Sequence, residues 1–404
     1  MHQRILFATC LLLFALGSAT ASEQGNFALT NVHVFDGVSK RILRDATVLV
    51  ADGRIEKVDR GIEVPAGYER IDGEGNYLMP GLFDVHTHLD NLESAERALD
   101  SGVTTVRSAS VGAFQDVTLR ELVRAGKVAG PDVLAAGVYV TPNLGDSVLA
   151  DPRLVALSGG VNTDEELRLL VQINADRGAD VIKTRGTERA GLPGTDPRQQ
   201  VYTEHQLKVV VDEAARHDMS VLVHAHGDEG ARAAVLAGAR SIDHGTYLSE
   251  ETLRLMKERG TWFVPTWVTM NEMNEEQYDY VLRLRGKHMV PHLEKAIRTA
   301  YRLGVRIATG ADNYYQAESI NRIAFEVEAF VRLGMTNFDA LQTATVNSAE
   351  LLGVDDRTGR IAVGYEADLI LLPGNPLEDV AALQDVVMVI SNGQIALRRI
   401  PFAL

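Results

Sequence analysis

The chain has 404 residues, of which 46% are hydrophobic and 24% charged, with 35 glycines; this profile excludes a disordered chain and allows one large core with a small flanking unit. A formal charge of −15 repels polyanions, and no Lys/Arg-rich run offsets it, so nucleic acid is not an expected partner.

The N-terminus carries Arg4, an apolar run over residues 5–16 and the small residues Ala19-Thr20-Ala21, the layout of a signal peptide over residues 1–21 cleaved near Ala21. The run is shorter than the ~20 residues that span a bilayer, so export to the periplasm or medium is expected, with no stable membrane anchor. Cys10, the single cysteine, lies in this leader, which leaves the mature chain without a disulfide, a thiolate ligand or a cysteine nucleophile. Residues 22–80 alternate apolar and polar positions between turn signals such as Asp52-Gly53, and residues 351–404 repeat the texture around Asn392-Gly393. Neither stretch buries a good core alone, so the two are expected to pair into one small β-sandwich.

Across residues 81–350, short β-branched runs alternate with helical periods, the pattern of a parallel sheet with crossover helices. Strands are predicted at 82–85, 104–107, 133–136, 180–183, 221–224, 241–243, 262–265 and 306–309. Eight such strands close a TIM-like (β/α)8 barrel. Helices are predicted over 164–176, 204–217 and 249–259, with Thr203 and Ser249 as N-caps.

The metal-capable side chains fall at or just past the C-terminal ends of these strands, where barrel enzymes assemble their sites. His86 and His88 follow the first strand as His-Thr-His, and alternate residues of an extended segment can face one ion. Lys183 ends the fourth strand, as an ion-pair member or as a lysine of altered charge in the barrel mouth. His224 ends the fifth strand within Leu222-Val223-His224-Ala225-His226-Gly227, His244 ends the sixth, and Asp312 follows the eighth in Gly310-Ala311-Asp312. Each alone could be an ordinary core or surface residue, but independent structural histidines have no reason to gather at one end of strands one, five and six. Imidazole and carboxylate ligands without thiolate suit Zn, Mn, Co or Fe, with zinc the default. His288 and His292, spaced i and i+4, read as a solvated helix face.

The runs Met79-Pro80-Gly81-Leu82-Phe83-Asp84-Val85-His86-Thr87-His88 and Gly359-Arg360-Ile361-Ala362-Val363-Gly364-Tyr365-Glu366-Ala367-Asp368-Leu369 are similar to the two most recognisable segments of the amidohydrolase superfamily. Ile182-Lys183, His224-Ala225-His226-Gly227 and Asp243-His244-Gly245 resemble its Xaa-Pro dipeptidase-like and ochratoxin-hydrolysing branch. The resemblance implies two divalent ions, His86 and His88 on the more buried one and His224 and His244 on the other. It further implies that Lys183, carboxylated by CO2, bridges them, and that Asp312 binds the first ion and moves the proton. Such a carbamate gives oxygen donors that two dications share about 3.5–4 Å apart, where a bare ammonium would repel both. Water activated between the ions would attack an amide carbonyl. His226 faces the pocket in this reading, either donating to the substrate or supporting a ligand. Deaminase and imidazolonepropionase relatives place a glutamate shortly after the fifth-strand histidine; Ala225 and His226 stand there instead, which favours a two-metal amide hydrolase.

Substrate selection is expected from the long loops 139–161 and 184–200. Arg185 or Arg189 could pair with a substrate carboxylate, with Tyr139 as a further contact, although ordinary surface arginines fit the sequence equally well. Trp262, Phe263, Trp267 and Met270 could form an apolar wall. The expected substrate is a dipeptide, N-acyl amino acid or ochratoxin-like amide with a free carboxylate. The alternatives are a cyclic amide or lactone hydrolase, an imidazolonepropionase-like enzyme, and, from another class, a non-catalytic metal-binding exported protein. The resemblance also suggests a homo-oligomer.

Overall fold

A computed structural model describes residues 25–317, 319 and 321–399; the leader read over residues 1–21 lies outside the described residues. The first five strands are β1 (Phe27–Phe35), β2 (Ile42–Ala51), β3 (Arg54–Arg60), β4 (Glu69–Asp72) and β5 (Tyr77–Pro80). Seven parallel strands follow: β6 (Leu82–Thr87), β7 (Val103–Ser108), β8 (Asp132–Leu134), β9 (Val181–Arg185), β10 (Ser220–Ala225), β11 (Ser241–His244) and β12 (Trp262–Val264). The last three are β13 (Leu369–Leu372), β14 (Met388–Ser391) and β15 (Gln394–Arg398).

The two chain ends meet in one sheet of order β15-β14-β13-β5-β1-β2-β3, with β4 pairing β1. This differs from the expected sandwich of two facing sheets, because β5 joins β1 in parallel and β13 antiparallel, so the pieces are continuous through hydrogen bonds. The tight turns fall where the sequence places them: Asp52 and Gly53, and Asn392 and Gly393, all have positive φ, as a two-residue hairpin demands. The tips touch, since a Cβ on Gly393 would lie 2.4 Å from Gly53 Cα. In β13 the pleat divides the core: Leu369 and Leu371 pack with Val48, Ile71 and Met388 on one face, whereas Ile370 and Leu372 join the main core.

The parallel strands form two arcs, β6-β7-β8 and β12-β11-β10-β9. Backbone bonds link the arcs at one seam, Asp180 N to Ala135 O at 2.7 Å and Val140 N to Lys183 O at 2.9 Å. At the other seam, residues 306–309 stand between β12 and β6: Phe263 N donates to Arg306 O at 2.9 Å and Val85 N to Thr309 O at 3.0 Å. The eighth predicted strand is thus a single bridge, Phe263 to Ile307. It goes no further because the Thr309 amide donates to Thr343 O at 3.1 Å instead of to a neighbouring strand. The predicted helices appear at Asp164–Asp176, Glu204–Ala215 and Glu250–Arg259, and Thr203 and Ser249 cap the last two. No helix among the described residues is long and apolar enough to cross a membrane.

Gly310 ends the 306–309 segment where the backbone is pressed against β6 and β12. A Cβ there would lie 2.7 Å from Val264 Cγ1 and 2.8 Å from His86 Cβ. Gly310→Ala is expected to cost about 1–3 kcal/mol through overpacking. Thermal unfolding checks this against Gly194→Ala, whose Cβ would meet nothing within 4 Å; equal midpoints for the two variants would remove the constraint.

Candidate active site

Each arc delivers its polar side chains to the same end. His86 lies in β6 and His88 one residue past it; Lys183, His224 and His244 lie in β9, β10 and β11; His226 and Asp312 follow β10 and the 306–309 segment. All seven line one cavity of about 620 Å³ together with Tyr139 and Arg189. Two groups of possible metal ligands stand out, His86 with His88 and Asp312, and His224 with His226 and His244, each with ligand atoms within 4.8 Å of one another. The groups adjoin, with the His86 and His244 ring centroids 4.9 Å apart.

The outer hydrogen bonds orient the rings. His86 Nδ1 lies 2.7 Å from Asp243 Oδ2, which leaves Nε2 facing Asp312 Oδ1 at 3.5 Å. His88 Nδ1 donates to Ser110 O at 2.6 Å, and its Nε2 is 3.1 Å from the same Asp312 oxygen. His244 Nδ1 pairs with Thr266 Oγ1 at 2.7 Å and His226 Nδ1 with Thr246 Oγ1 at 2.9 Å, so each has Nε2 to offer. His224 is reversed: its Nε2 donates to Glu188 O at 3.1 Å, which leaves Nδ1. An acceptor fixing one ring nitrogen sets the tautomer and aims the other lone pair. His244 and Asp312 have φ of +76° and +50°, strain that non-glycine residues hold only where the surroundings impose it. Asp312 N is tied to His86 O at 2.8 Å, and Gly245 N to Ala225 O at 2.9 Å.

Burial keeps the imidazoles neutral: it lowers His86 to about 4 and His226 to about 3, and puts His224 and His244 well below the usual range. Lys183 is lowered to about 8 by burial, and among the described residues its Nζ has no hydrogen-bond partner. Burial would raise Asp312, but His86 and His88 outweigh it and hold the carboxyl well below its ordinary value. Neutral nitrogens with inward lone pairs, an ionised carboxylate and an orphaned buried amine form a donor set that fits divalent metal ions and lacks only positive charge.

Beneath this layer, Asp243 accepts from Arg107 Nη2 at 3.1 Å and Ser241 Oγ at 2.7 Å while holding His86. Burial would raise Asp243 too, but Arg107 and His86 hold it low. Neither Asp243 nor Arg107 is assigned a role by the sequence reading; the available signal was an acid and a base within strands otherwise built from buried residues. Tyr314, also unassigned, stacks on His88 with centroids 5.0 Å apart.

The expected substrate contacts divide. Tyr139 is half-buried, and the Arg189 guanidinium lies 5.5 Å from its ring centroid. Arg185 stays outside the cavity lining, 5.1 Å from the same ring centroid and paired with Glu188 at 3.2 Å, because Glu188 lies within reach on the same loop. Of the proposed apolar wall only Met270 lines the cavity; Trp262 and Phe263 are fully buried in the core, and Trp267 packs away from the site. The loop bearing Arg189 is clamped by Arg285, which donates to the carbonyls of Ala190, Leu192 (2.8 Å), Pro193 (3.3 Å) and Thr195 (2.6 Å). No sequence signal connects Arg285 to that loop. His288 and His292 lie exposed on the helix Tyr280–Leu303, apart from the cavity lining.

Chelated protein should be acid-sensitive. In the unfolded chain these imidazoles titrate near 6.5, whereas folding lowers His86 to about 4 and His226 to about 3. Below pH 6.5 the unfolded chain binds protons that the folded one refuses, so stability is fully present above that pH and is lost as pH falls toward 4. Each imidazole contributes a slope of up to about 1.4 kcal/mol per pH unit. Urea midpoints of EDTA-treated protein are expected to fall between pH 7.5 and 5; a flat profile would contradict the buried neutral rings.

Comparison with known proteins identifies the family. Residues 77–396 match the Amidohydrolase family. The chain is 30% identical over 397 residues to ochratoxinase from Aspergillus niger, covering 85% of this chain and 80% of that protein. It is 27% identical over 384 residues to imidazolonepropionase from Cupriavidus taiwanensis, covering 83% and 86%. Among solved structures, a Xaa-Pro dipeptidase with bound methionine in the active site superposes with a TM-score of 0.84 at 28% identity, covering 92% of this chain and 99% of the other. The crystal structure of A. niger ochratoxinase gives 0.77 at 27% identity, covering 93% and 96%. This chain therefore belongs to the amidohydrolase family.

Proposed function

We propose that the protein hydrolyses the amide bond of a small, carboxylate-bearing substrate at a pair of divalent metal ions, most simply zinc, within a (β/α)8 barrel closed by residues 306–309. The observation that carries this reading is Lys183 Nζ, buried among the ligands of both groups with no hydrogen-bond partner. An amine lowered to about 8 has enough of its neutral form near neutral pH to combine with CO2, and the resulting carbamate would turn a cation into the anion that two cations require. In this reading His86, His88 and Asp312 hold one ion and His224 and His244 the other, with Lys183 between them.

Bound there, the ions supply Lewis acidity that polarises the amide carbonyl and acidifies the attacking water. The protein supplies the rest. Asp312, ionised at any working pH, takes the proton of the attacking water and returns it to the leaving nitrogen, without which an amine leaves poorly. With Thr246 donating to its Nδ1, His226 carries hydrogen on Nε2 and offers it to the substrate carbonyl oxygen. Arg189, with its loop clamped by Arg285, takes the substrate carboxylate, and Tyr139 stacks beneath it. The relatives named ochratoxinase and Xaa-Pro dipeptidase support an amide over a cyclic amide or lactone. The signal-peptide reading of residues 1–21 supports an activity outside the cytoplasm, and the family resemblance supports a homo-oligomer.

Exhaustive chelation should abolish hydrolysis of dipeptides and N-acyl amino acids, and added zinc should restore it. Asp312→Asn should lower kcat by about 10²–10⁴-fold, with the fold checked by circular dichroism. Undiminished turnover by either preparation would overturn the proposed chemistry.

A further inference from the structure

The cavity holds charges of both signs that the protein leaves unmatched. The Arg189 side chain lines the cavity with its guanidinium over the Tyr139 ring, and among the described residues no carboxylate pairs with it. Glu272 lines the same cavity, half-buried, in the short helix Trp267–Glu272. Its carboxylate accepts from Asn321 Nδ2 and from the Tyr278 hydroxyl, both neutral donors. No Lys, Arg or His nitrogen lies within ion-pair distance of it among the described residues.

The position of Glu272 relative to Asp312 follows from the helix. Thr269 donates to Ala311 O at 2.5 Å and to Asp312 O at 3.2 Å, which fixes this helix against the backbone of the proton-carrying residue. Glu272 comes three residues later, on the same helical face and about 5–6 Å away between Cβ atoms. Thr269, Met270, Glu272 and Met273 all line the cavity that Asp312 and Arg189 also line. Burial and the neighbouring Glu275 both raise the Glu272 carboxyl above its usual value, the sign of an anion short of positive partners. A partly desolvated charge without a partner is costly, and a ligand of opposite sign removes that cost.

We infer that Glu272 is the receptor for the substrate's free α-ammonium group, so that the enzyme acts on zwitterionic dipeptides, carboxylate toward Arg189 and ammonium toward Glu272, in preference to N-acyl amino acids. This rests on the amide-hydrolase reading above. A dipeptide carries both charges, its ammonium and carboxylate flanking the scissile amide, which matches a cavity lined by one unpaired guanidinium and one carboxylate without a cationic partner.

The test is a panel of aminoacyl-prolines and aminoacyl-phenylalanines, each free and N-acetylated, assayed with zinc-loaded full-length enzyme. The free dipeptide should exceed its acetylated twin in kcat/KM by about 10–100-fold, the worth of a hydrogen bond to a charged group. Glu272→Gln should collapse that ratio to near one by lowering turnover of free dipeptides while leaving acetylated ones unchanged, and Glu272→Asp should restore part of it. A wild type that cleaves the acetylated series as well or better, or a Glu272→Gln enzyme that keeps the ratio, overturns the inference and leaves amide hydrolysis standing. Cleavage of neither series by metal-loaded enzyme removes the amide-hydrolase reading and the inference with it.

Discussion

The site depends on one buried carboxylate. Asp243 sits on β11 and binds Arg107 of β7 and His86 of β6, so a single group ties the two parallel arcs together across the interior while aiming a metal-capable imidazole. Arg107 extends the tie by donating to Val85 O at 2.7 Å. Removing one member of such a pair leaves an uncompensated buried charge, at a cost of about 3–5 kcal/mol. The tie makes structure and site inseparable: the charge that orients His86 is neutralised by the same arginine that holds β6 to β7.

Above that tie, the donor groups are arranged for positive charge that the chain itself does not supply. Three buried imidazoles kept neutral, with outer nitrogens occupied by Asp243, Thr266 and the Glu188 carbonyl, expose their remaining lone pairs to one space. Left-handed backbone at His244 and Asp312 and a desolvated Lys183 add to the free energy stored there. Such a cluster is unfavourable alone and becomes favourable when cations arrive, which is the linkage expected where ligand binding and local folding share one free energy. The large cores on either side of β13 provide the stability against which that strain is held.

Much of this was legible in the residues. Strand positions from β6 to β12 followed from β-branched runs punctuated by glycine, and the C-terminal ends of those runs carried the histidines, Lys183 and Asp312 that share the cavity. The 306–309 segment reads as a strand because its period is correct, yet Thr309 sends its amide to Thr343, a tertiary choice that periodicity does not carry. The terminal strands likewise show their alternation but not their partners, so a continuous sheet looked like a sandwich. Arg185 and Arg189 are indistinguishable in sequence; a nearby Glu188 engages one and leaves the other facing the cavity. Long-range contacts such as Arg285 on the 190–195 carbonyls, or Glu272 beside Asp312, have no local signature at all.

The central claim is a pair of cations bridged by a modified Lys183 and held by ligands from both arcs. Anomalous diffraction at the zinc edge from crystals of the zinc-loaded protein tests it most directly. Two peaks are expected, one at His86, His88 and Asp312 and one at His224 and His244, with density for a carbamate on Lys183 between them. A single peak, or an unmodified Lys183 standing clear of the metal, would contradict it.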